Sequence, residues 1–270
     1  MNLEAVAQRG LVLLGCGKMG SAMLAGWLDG GLPAASVWVQ DPFPSDWLKA
    51  TGVHINDGFP ENPAVVLIAV KPQMMGEALP ALAALPKEGT VFLSVAAGVS
   101  IAAYEAALGA GTCVVRAMPN TPAAVGKGVT AIVGNAKATP ADMDLAEALL
   151  QAVGQVVRLS DENQMDAVTG VSGSGPAYVF YMIDTLAAAG VAQGLPAELA
   201  MQLAKATVAG AGALAETADE TPEQLRINVT SPNGTTQAGL EVLMADKGLA
   251  PLMSATVKAA TDRSKELGNG

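Results

Sequence analysis

Short apolar runs alternate with helix-spaced stretches through the first 160 positions of the chain. The runs LVLL (11–14), SVWVQ (36–40), AVVLIAV (64–70), TVFLSVA (90–96) and TCVVRAM (112–118) have the length and composition of buried strands. Between them Met19–Leu28, Gln73–Leu85 and Ile101–Leu108 carry helical spacing. Strands alternating with helices predict a parallel sheet with crossover connections. VTAIVG (129–134), a helix over Pro140–Val153 and QVVRLS (155–160) extend the pattern. After Ser160 the strands stop. Helices are expected at Glu162–Val171, Gly175–Ala192, Ala197–Ala218, Pro222–Asn228, Thr235–Ala245 and Leu249–Leu267, several with proline at their starts. The change of period predicts two domains, residues 1–160 and 161–270.

Composition narrows the partners. A net charge of −10 opposes binding to nucleic-acid phosphates or anionic membrane surfaces. The hydrophobic fraction is 51%, with aromatics at 4%, a mixture that suits closely packed helices. The most apolar stretch, Ala167–Ala197, is interrupted by SGSGP and GLP, so it falls short of the ~20 continuous apolar residues of a membrane span. It is expected to be buried in protein, at a subunit interface. MNLEAVAQRG lacks a basic region followed by an apolar core, so a cytoplasmic protein is expected. Cys16 and Cys113 are too few for a disulfide framework and lack metal-ligand spacing; no metal is expected. His54 is the one histidine, expected on the surface or in a loop.

LLGCGKMGSAM carries Gly15-x-Gly17-x-x-Gly20 between an apolar strand and a helix, the context in which that spacing binds a dinucleotide. Gly15 suits the tight turn, Gly17 lets backbone approach a pyrophosphate, and Gly20 lets helix and strand pack closely. Asp41 stands 21 positions beyond Gly20, where a carboxylate accepts from the adenosine ribose 2′-hydroxyl and repels a 2′-phosphate. An aspartate before Pro42 is equally at home in a simple turn. Lys71 in AVKPQ closes another strand on the ligand-facing sheet edge. SVAAGVS (94–100) and RAMPNTPAAVGKG (116–128) end the next two with small or stiffened loops.

Late in the chain VTSPNGTTQAG (229–239) has a hydroxyl or amide at six of its eleven positions and no charged side chain. Set at a helix start, it offers clustered N–H groups and hydroxyls suited to a carboxylate. A bare helix cap would use Ser231 or Thr235 alone.

Taken in order, GCGKMG, AVKP, RAMPNTPA, AVTGVSGSGPAY and VTSPNGTTQAG closely resemble pyrroline-5-carboxylate reductase, the last enzyme of proline biosynthesis, from Leu11 to Leu267. The resemblance implies an α/β Rossmann-like N-terminal domain and an all-helical C-terminal dimerisation domain. It also implies reduction of 1-pyrroline-5-carboxylate to L-proline with NADPH or NADH, and dimers that in some members build decamers. By resemblance Gly15, Cys16, Gly17, Lys18, Met19 and Gly20 contact the cofactor, as do Ala69, Val70, Lys71 and Pro72, and Val95, Ala96 and Ala97. Asn56 resembles an adenosine-side residue, and Asn228 one that reaches the cofactor from the second domain. Thr235 and Thr236 resemble substrate-holding residues, with Ser231, Asn233 and Gly234 completing their turn and Glu162 a substrate-side carboxylate. Two departures stand out: Asn233 replaces a usual glycine, and Asp41 replaces a neutral, often hydroxylated residue.

An imine develops no strong oxyanion during reduction, so the reaction does not demand a histidine acid; Thr236 is the expected partner of the ring nitrogen. Two other classes share parts of this plan. A related imine reductase or β-hydroxyacid dehydrogenase has the same architecture, but Lys205, Lys247, Lys258 and Lys265 sit in no Gly-rich motif resembling the dehydrogenases' catalytic one. A non-catalytic NAD(P) sensor has no reason to keep a carboxylate-binding turn.

Overall fold

The computed structural model describes residues 3–268. The elements of its α/β part are, in chain order, α1 (Glu4–Arg9), β1 (Leu11–Leu14), α2 (Lys18–Asp29), β2 (Val37–Gln40), α3 (Asp46–Lys49), β3 (His54–Ile55), β4 (Val65–Ile68), α4 (Met75–Leu82), β5 (Val91–Ser94), α5 (Ile101–Leu108), β6 (Cys113–Met118), β7 (Gly128–Gly134), α6 (Pro140–Leu150) and β8 (Gly154–Arg158). The strands form one sheet in the order β3-β2-β1-β4-β5-β6-β7-β8. The order turns outward in both directions from β1 and β4, and such a switch point opens a crevice at the carboxyl ends of its strands.

Period-two alternation explains the layers. Leu11 and Leu13, Val37 and Val39, Val65 and Leu67, and Val91 and Leu93 point to one face. There they pack on Met23, Leu24 and Trp27 of α2 and on Ala146, Leu149 and Leu150 of α6. Val12 and Leu14, Val66 and Ile68, and Phe92 point to the other, against Met75, Leu79 and Leu82 of α4 and Ile101, Tyr104 and Leu108 of α5. Because both faces are covered, the central strands read as unbroken apolar runs. Trp27 also anchors α2 through its indole N–H, which donates to Leu149 O at 2.8 Å.

The structure corrects one expectation and adds two features. β7 runs antiparallel to β6, so the sheet is mixed. Only a short connection with a 3-10 turn at Thr121–Val125 joins them, too brief for the crossover that parallel neighbours require. His54 lies in a strand, pairing with Trp38 and stacking on its ring with centroids 4.5 Å apart. Helices α1 and α3 were not anticipated, since neither is long enough to show a helical period.

The helical elements that follow are α7 (Met165–Val168), α8 (Gly175–Ala192), α9 (Ala197–Thr217), α10 (Pro222–Asn228), α11 (Thr235–Leu243) and α12 (Leu249–Gly268). The chain forms two compact units: one runs to Gly173 and resumes at Ala260, and the other is Ser174–Ala259. This division falls later than the change of hydrophobic period near residue 160, because α7 and the π-helical turn Thr169–Gly173 pack with the sheet. Met165 is buried in the α4–α5 layer, and a Cβ on Gly173 would come within 2.6 Å of Met118 Cε. The end of α12 joins the same unit, where Ser264 Oγ donates to Asp166 Oδ1 at 2.6 Å.

In the second unit, α8 and α9 pack through small residues, Ala187 against Ala200 and Ala204. Of the eighteen residues of α8 only Ala187 is buried, while Phe180 is 59% and Tyr181 70% exposed. An apolar surface of this extent calls for a protein partner. Among the described residues no helix is long and apolar enough to cross a membrane.

Candidate active site

The glycine loop occupies the switch point. Gly15 N–H donates to Gln40 O at 2.8 Å and Ala69 N–H to Leu14 O at 2.8 Å, so β1 hands directly into the loop beside the end of β4. Gly15 has φ +89°, and a Cβ there would lie 2.9 Å from Val70 Cγ1 and 3.0 Å from Ala69 O. Gly20 is tighter still, its missing Cβ falling 2.3 Å from Gly15 O, so helix α2 can seat on the loop only with glycine. At Gly17 a Cβ would meet nothing within 4 Å. The protein's own packing demands glycine at the first and third positions, whereas the second faces open space. That opening, with the uncapped first turn of α2 beside it, fits a dinucleotide pyrophosphate.

Asp41 binds this loop to its surroundings. Its Oδ2 accepts from Cys16 N–H at 2.7 Å and its Oδ1 from Phe43 N–H at 2.8 Å. Asn56, in the left-handed conformation at φ 52°, brackets the backbone of Asp41: its Oδ1 accepts from Asp41 N–H at 2.9 Å and its Nδ2 donates to Asp41 O at 2.8 Å. Burial first and the charge of Asp41 second push the Cys16 thiol up to about 11.

Lys71 and Pro72 are exposed at the end of β4, Pro72 opening a 3-10 turn. After β5, Val95 N–H donates to Ile68 O at 3.0 Å, and Ala96 N–H to Ser94 Oγ at 3.2 Å. Ser94 in turn hydrogen-bonds the buried Tyr104 hydroxyl, which fixes the first residues of the Val95–Ala97 loop from beneath. Burial pushes the Tyr104 hydroxyl's pKa upward, so it acts as a neutral group. Asn120 holds the connection after β6: its Oδ1 accepts from Val129 N–H at 3.0 Å and its Nδ2 donates to Ser172 O at 3.2 Å. Asn120 falls in the stiffened loop expected after this strand, and its role as a buried staple shows only in the fold.

Glu162 lies in the first unit. Its Oε1 accepts from Arg116 Nη1 at 2.6 Å and from Ile101 N–H at 2.9 Å, tying β6 to the first turn of α5.

The hydroxyl-rich turn lies in the second unit. Asn233 adopts φ 57°, a left-handed conformation asparagine tolerates better than most residues, so the turn survives without its usual glycine. Gly234 N–H donates to Ser231 O at 3.0 Å, and Asn233 N–H to Gln237 Oε1 at 2.8 Å. Gly234 is the N-cap of α11, and no side chain caps this helix. Ser231 and Thr235 therefore do not serve as its cap, and Ser231, Thr235 and Thr236 are all exposed. Asn228, at the end of α10, accepts through Oδ1 from Gln224 Nε2 at 2.8 Å.

The two halves match known proteins separately and together. Residues 162–267 match a family model described as pyrroline-5-carboxylate reductase dimerisation, and residues 10–98 one described as NADP oxidoreductase, coenzyme F420-dependent. The chain is 39% identical to the pyrroline-5-carboxylate reductase of Pseudomonas aeruginosa over 263 residues, which cover 95% of this chain and 96% of that one. The solved pyrroline-5-carboxylate reductase of Coxiella burnetii is similar with a TM-score of 0.90 at 33% identity, covering 96% of this chain and 98% of that one. The Plasmodium falciparum enzyme, solved with NADP bound, gives 0.83 at 27% identity, covering 97% of this chain and 99% of that one. A glycine loop at the switch point, a dimerisation region and likeness along nearly the whole chain lead to one assignment: the chain belongs to the pyrroline-5-carboxylate reductase family.

Proposed function

We propose that this protein reduces 1-pyrroline-5-carboxylate to L-proline with NAD(P)H, as the last step of proline biosynthesis in the cytoplasm, and that it works as a dimer or as a decamer built from dimers. Its first 160 residues serve the dinucleotide, and residues 161–270 serve substrate and self-association. The observation that carries the substrate assignment is the uncapped start of α11, with Ser231, Thr235 and Thr236 exposed around it. Orphan amides at a helix start attract an anion, and the substrate's only anionic group is its carboxylate.

In this reading Gly15, Cys16, Gly17, Lys18, Met19 and Gly20 hold the pyrophosphate, with the helix N–H groups of α2 facing it. Asp41 and Asn56 form the adenosine side, and Ala69–Pro72 and Val95–Ala97 line the cofactor's remaining length. Asn228 reaches the cofactor from the second domain. The bound nicotinamide supplies a hydride to the imine carbon. Thr235 and Thr236 N–H groups and the turn hydroxyls hold the carboxylate, which fixes the face of the ring that is presented. Thr236 Oγ1 orients the ring N–H through a hydrogen bond whose acceptor demand changes as the C=N bond becomes a single bond. The imine nitrogen takes its proton from solvent before attack, and that proton and the hydride account for the two hydrogens gained. The proposal gives Glu162 the task of holding β6 and α5 in place, since its Oε1 already serves Arg116 and Ile101.

The direct test is oxidation of NADH and NADPH with racemic pyrroline-5-carboxylate, run beside a 2-ketoacid. Oxidation driven by the imine supports the proposal. Turnover with the ketoacid alone would replace it with a hydroxyacid dehydrogenase, and binding of cofactor without any turnover would replace it with a sensor.

A further inference from the structure

We infer that Asp41 is a charged clamp that couples the shape of the phosphate-binding loop to the choice of dinucleotide, making this site select NADH over NADPH. The inference rests on the glycine loop being the dinucleotide site.

Three observations carry it. The carboxylate cannot swing aside, because each oxygen accepts a backbone N–H, from Cys16 at 2.7 Å and from Phe43 at 2.8 Å. The backbone of Asp41 is fixed as well, with Asn56 bonded to both its N–H and its C=O. Each carboxylate oxygen retains a second lone pair for a ribose hydroxyl, so the clamp and sugar recognition are compatible. A 2′-phosphate at the same place would bring a second anion against a fixed carboxylate.

The segment from Asp41 to Gly58 offers that phosphate no unpaired cation. From Asp41 to Gly58 the chain carries three carboxylates, Asp41, Asp46 and Asp57, and one lysine. That lysine, Lys49, is held by Asp46 at 3.0 Å, and no arginine occurs in the segment. The only other basic side chain there, His54, faces Asp57 with 3.8 Å between Nδ1 and Oδ2. The negative field reaches the loop itself, where Asp41 adds to the burial that keeps the Cys16 thiol protonated.

The clamp separates two effects that a simple repulsion would merge. Discrimination follows the charge of residue 41, whereas affinity for either cofactor follows its capacity to accept from Cys16 N–H and Phe43 N–H. Asp41→Asn removes the charge and keeps one acceptor; Asp41→Ala removes both.

Calorimetric titration of the intact protein and the two variants with NADH and with NADPH, without imine substrate, tests this. Wild type is expected to bind NADH at least about ten-fold more tightly than NADPH. Asp41→Asn should bring the two dissociation constants within about three-fold of each other. Asp41→Ala should show the same near-equal ratio but weaker binding of both than Asp41→Asn, with circular dichroism confirming a folded chain. Tighter binding of NADPH by wild type would overturn the inference, and so would identical affinities in the two variants. Binding of neither cofactor by wild type would overturn the dinucleotide reading and the inference with it.

Discussion

Glu162 Oε1 receives two hydrogen bonds at once, from Arg116 Nη1 at 2.6 Å and from the backbone N–H of Ile101 at 2.9 Å. Arg116 is buried in β6 and Ile101 begins α5, so one carboxylate oxygen joins the sheet to the helix that follows the Val95–Ala97 loop. The same residue opens the segment that matches the dimerisation model.

Removing that carboxylate leaves a buried guanidinium without its counter-charge. Glu162→Ala is expected to cost about 1–3 kcal/mol of stability, because the Arg116 guanidinium is buried while the Glu162 side chain is 29% exposed and its pairing partly solvated. Glu162→Gln restores an acceptor for Ile101 N–H and should recover part of the loss. Denaturant unfolding measures both, and wild-type stability in Glu162→Ala would show that the pair contributes nothing.

Thr236 carries the chemical half of the proposal. Thr236→Ala should lower kcat with pyrroline-5-carboxylate by about ten- to a thousand-fold while leaving the dissociation constant of the cofactor unchanged. Steady-state kinetics and cofactor titration together decide it. An unaltered kcat would remove Thr236 from the reaction.

Two glycines of one loop should fail in opposite ways. A methyl at Gly20 would press on Gly15 O at 2.3 Å, so Gly20→Ala is expected to lose about 1–3 kcal/mol of stability. A methyl at Gly17 meets no protein atom within 4 Å, so Gly17→Ala should fold as wild type and bind dinucleotide at least about ten-fold more weakly. Thermal melting and cofactor titration of each variant separate the outcomes. Unimpaired cofactor binding by Gly17→Ala would put the pyrophosphate elsewhere.

The cysteines should resist alkylation at neutral pH. Burial and neighbouring carboxylates push Cys16 up to about 11 and Cys113 up to about 12. An acid whose pKa is raised stays protonated through neutrality, and the thiolate is the reactive form. Iodoacetamide at pH 7.5 should therefore modify the folded protein about a hundred-fold more slowly than an exposed thiol of ordinary pKa. The rate should climb steadily as pH rises towards 11, the value for Cys16. Rapid labelling that levels off near pH 9 would contradict the assignment.

How much of this was written in the residue order depends on the range of the interaction. β1 and β4 are apolar on both faces, β5 and β6 are so apart from Ser94 and Arg116, and their alternation with helix-spaced runs was enough to place them. Gly15, Gly17 and Gly20 were legible because a loop between a strand and a helix has few other uses for that spacing. The antiparallel course of β7 was less so, since it follows from the length of a connection rather than from any residue within the strand. The two bonds to Glu162 and the clamp on Asp41 join positions 61, 46 and 25 residues apart, and no local pattern records such pairings. The hydroxyls of Ser231, Thr235 and Thr236 were visible as a cluster, but only the structure shows that α11 leaves them uncommitted as caps.

In the proposed complex the start of α11 holds the substrate carboxylate while the glycine loop holds the dinucleotide. A crystal structure of the protein with L-proline and oxidised cofactor measures both at once. The proline carboxylate is expected within hydrogen-bonding distance of the Thr235 and Thr236 N–H groups, and the pyrophosphate on Gly15–Gly20. A carboxylate bound away from the Ser231–Thr236 turn in every subunit would contradict it.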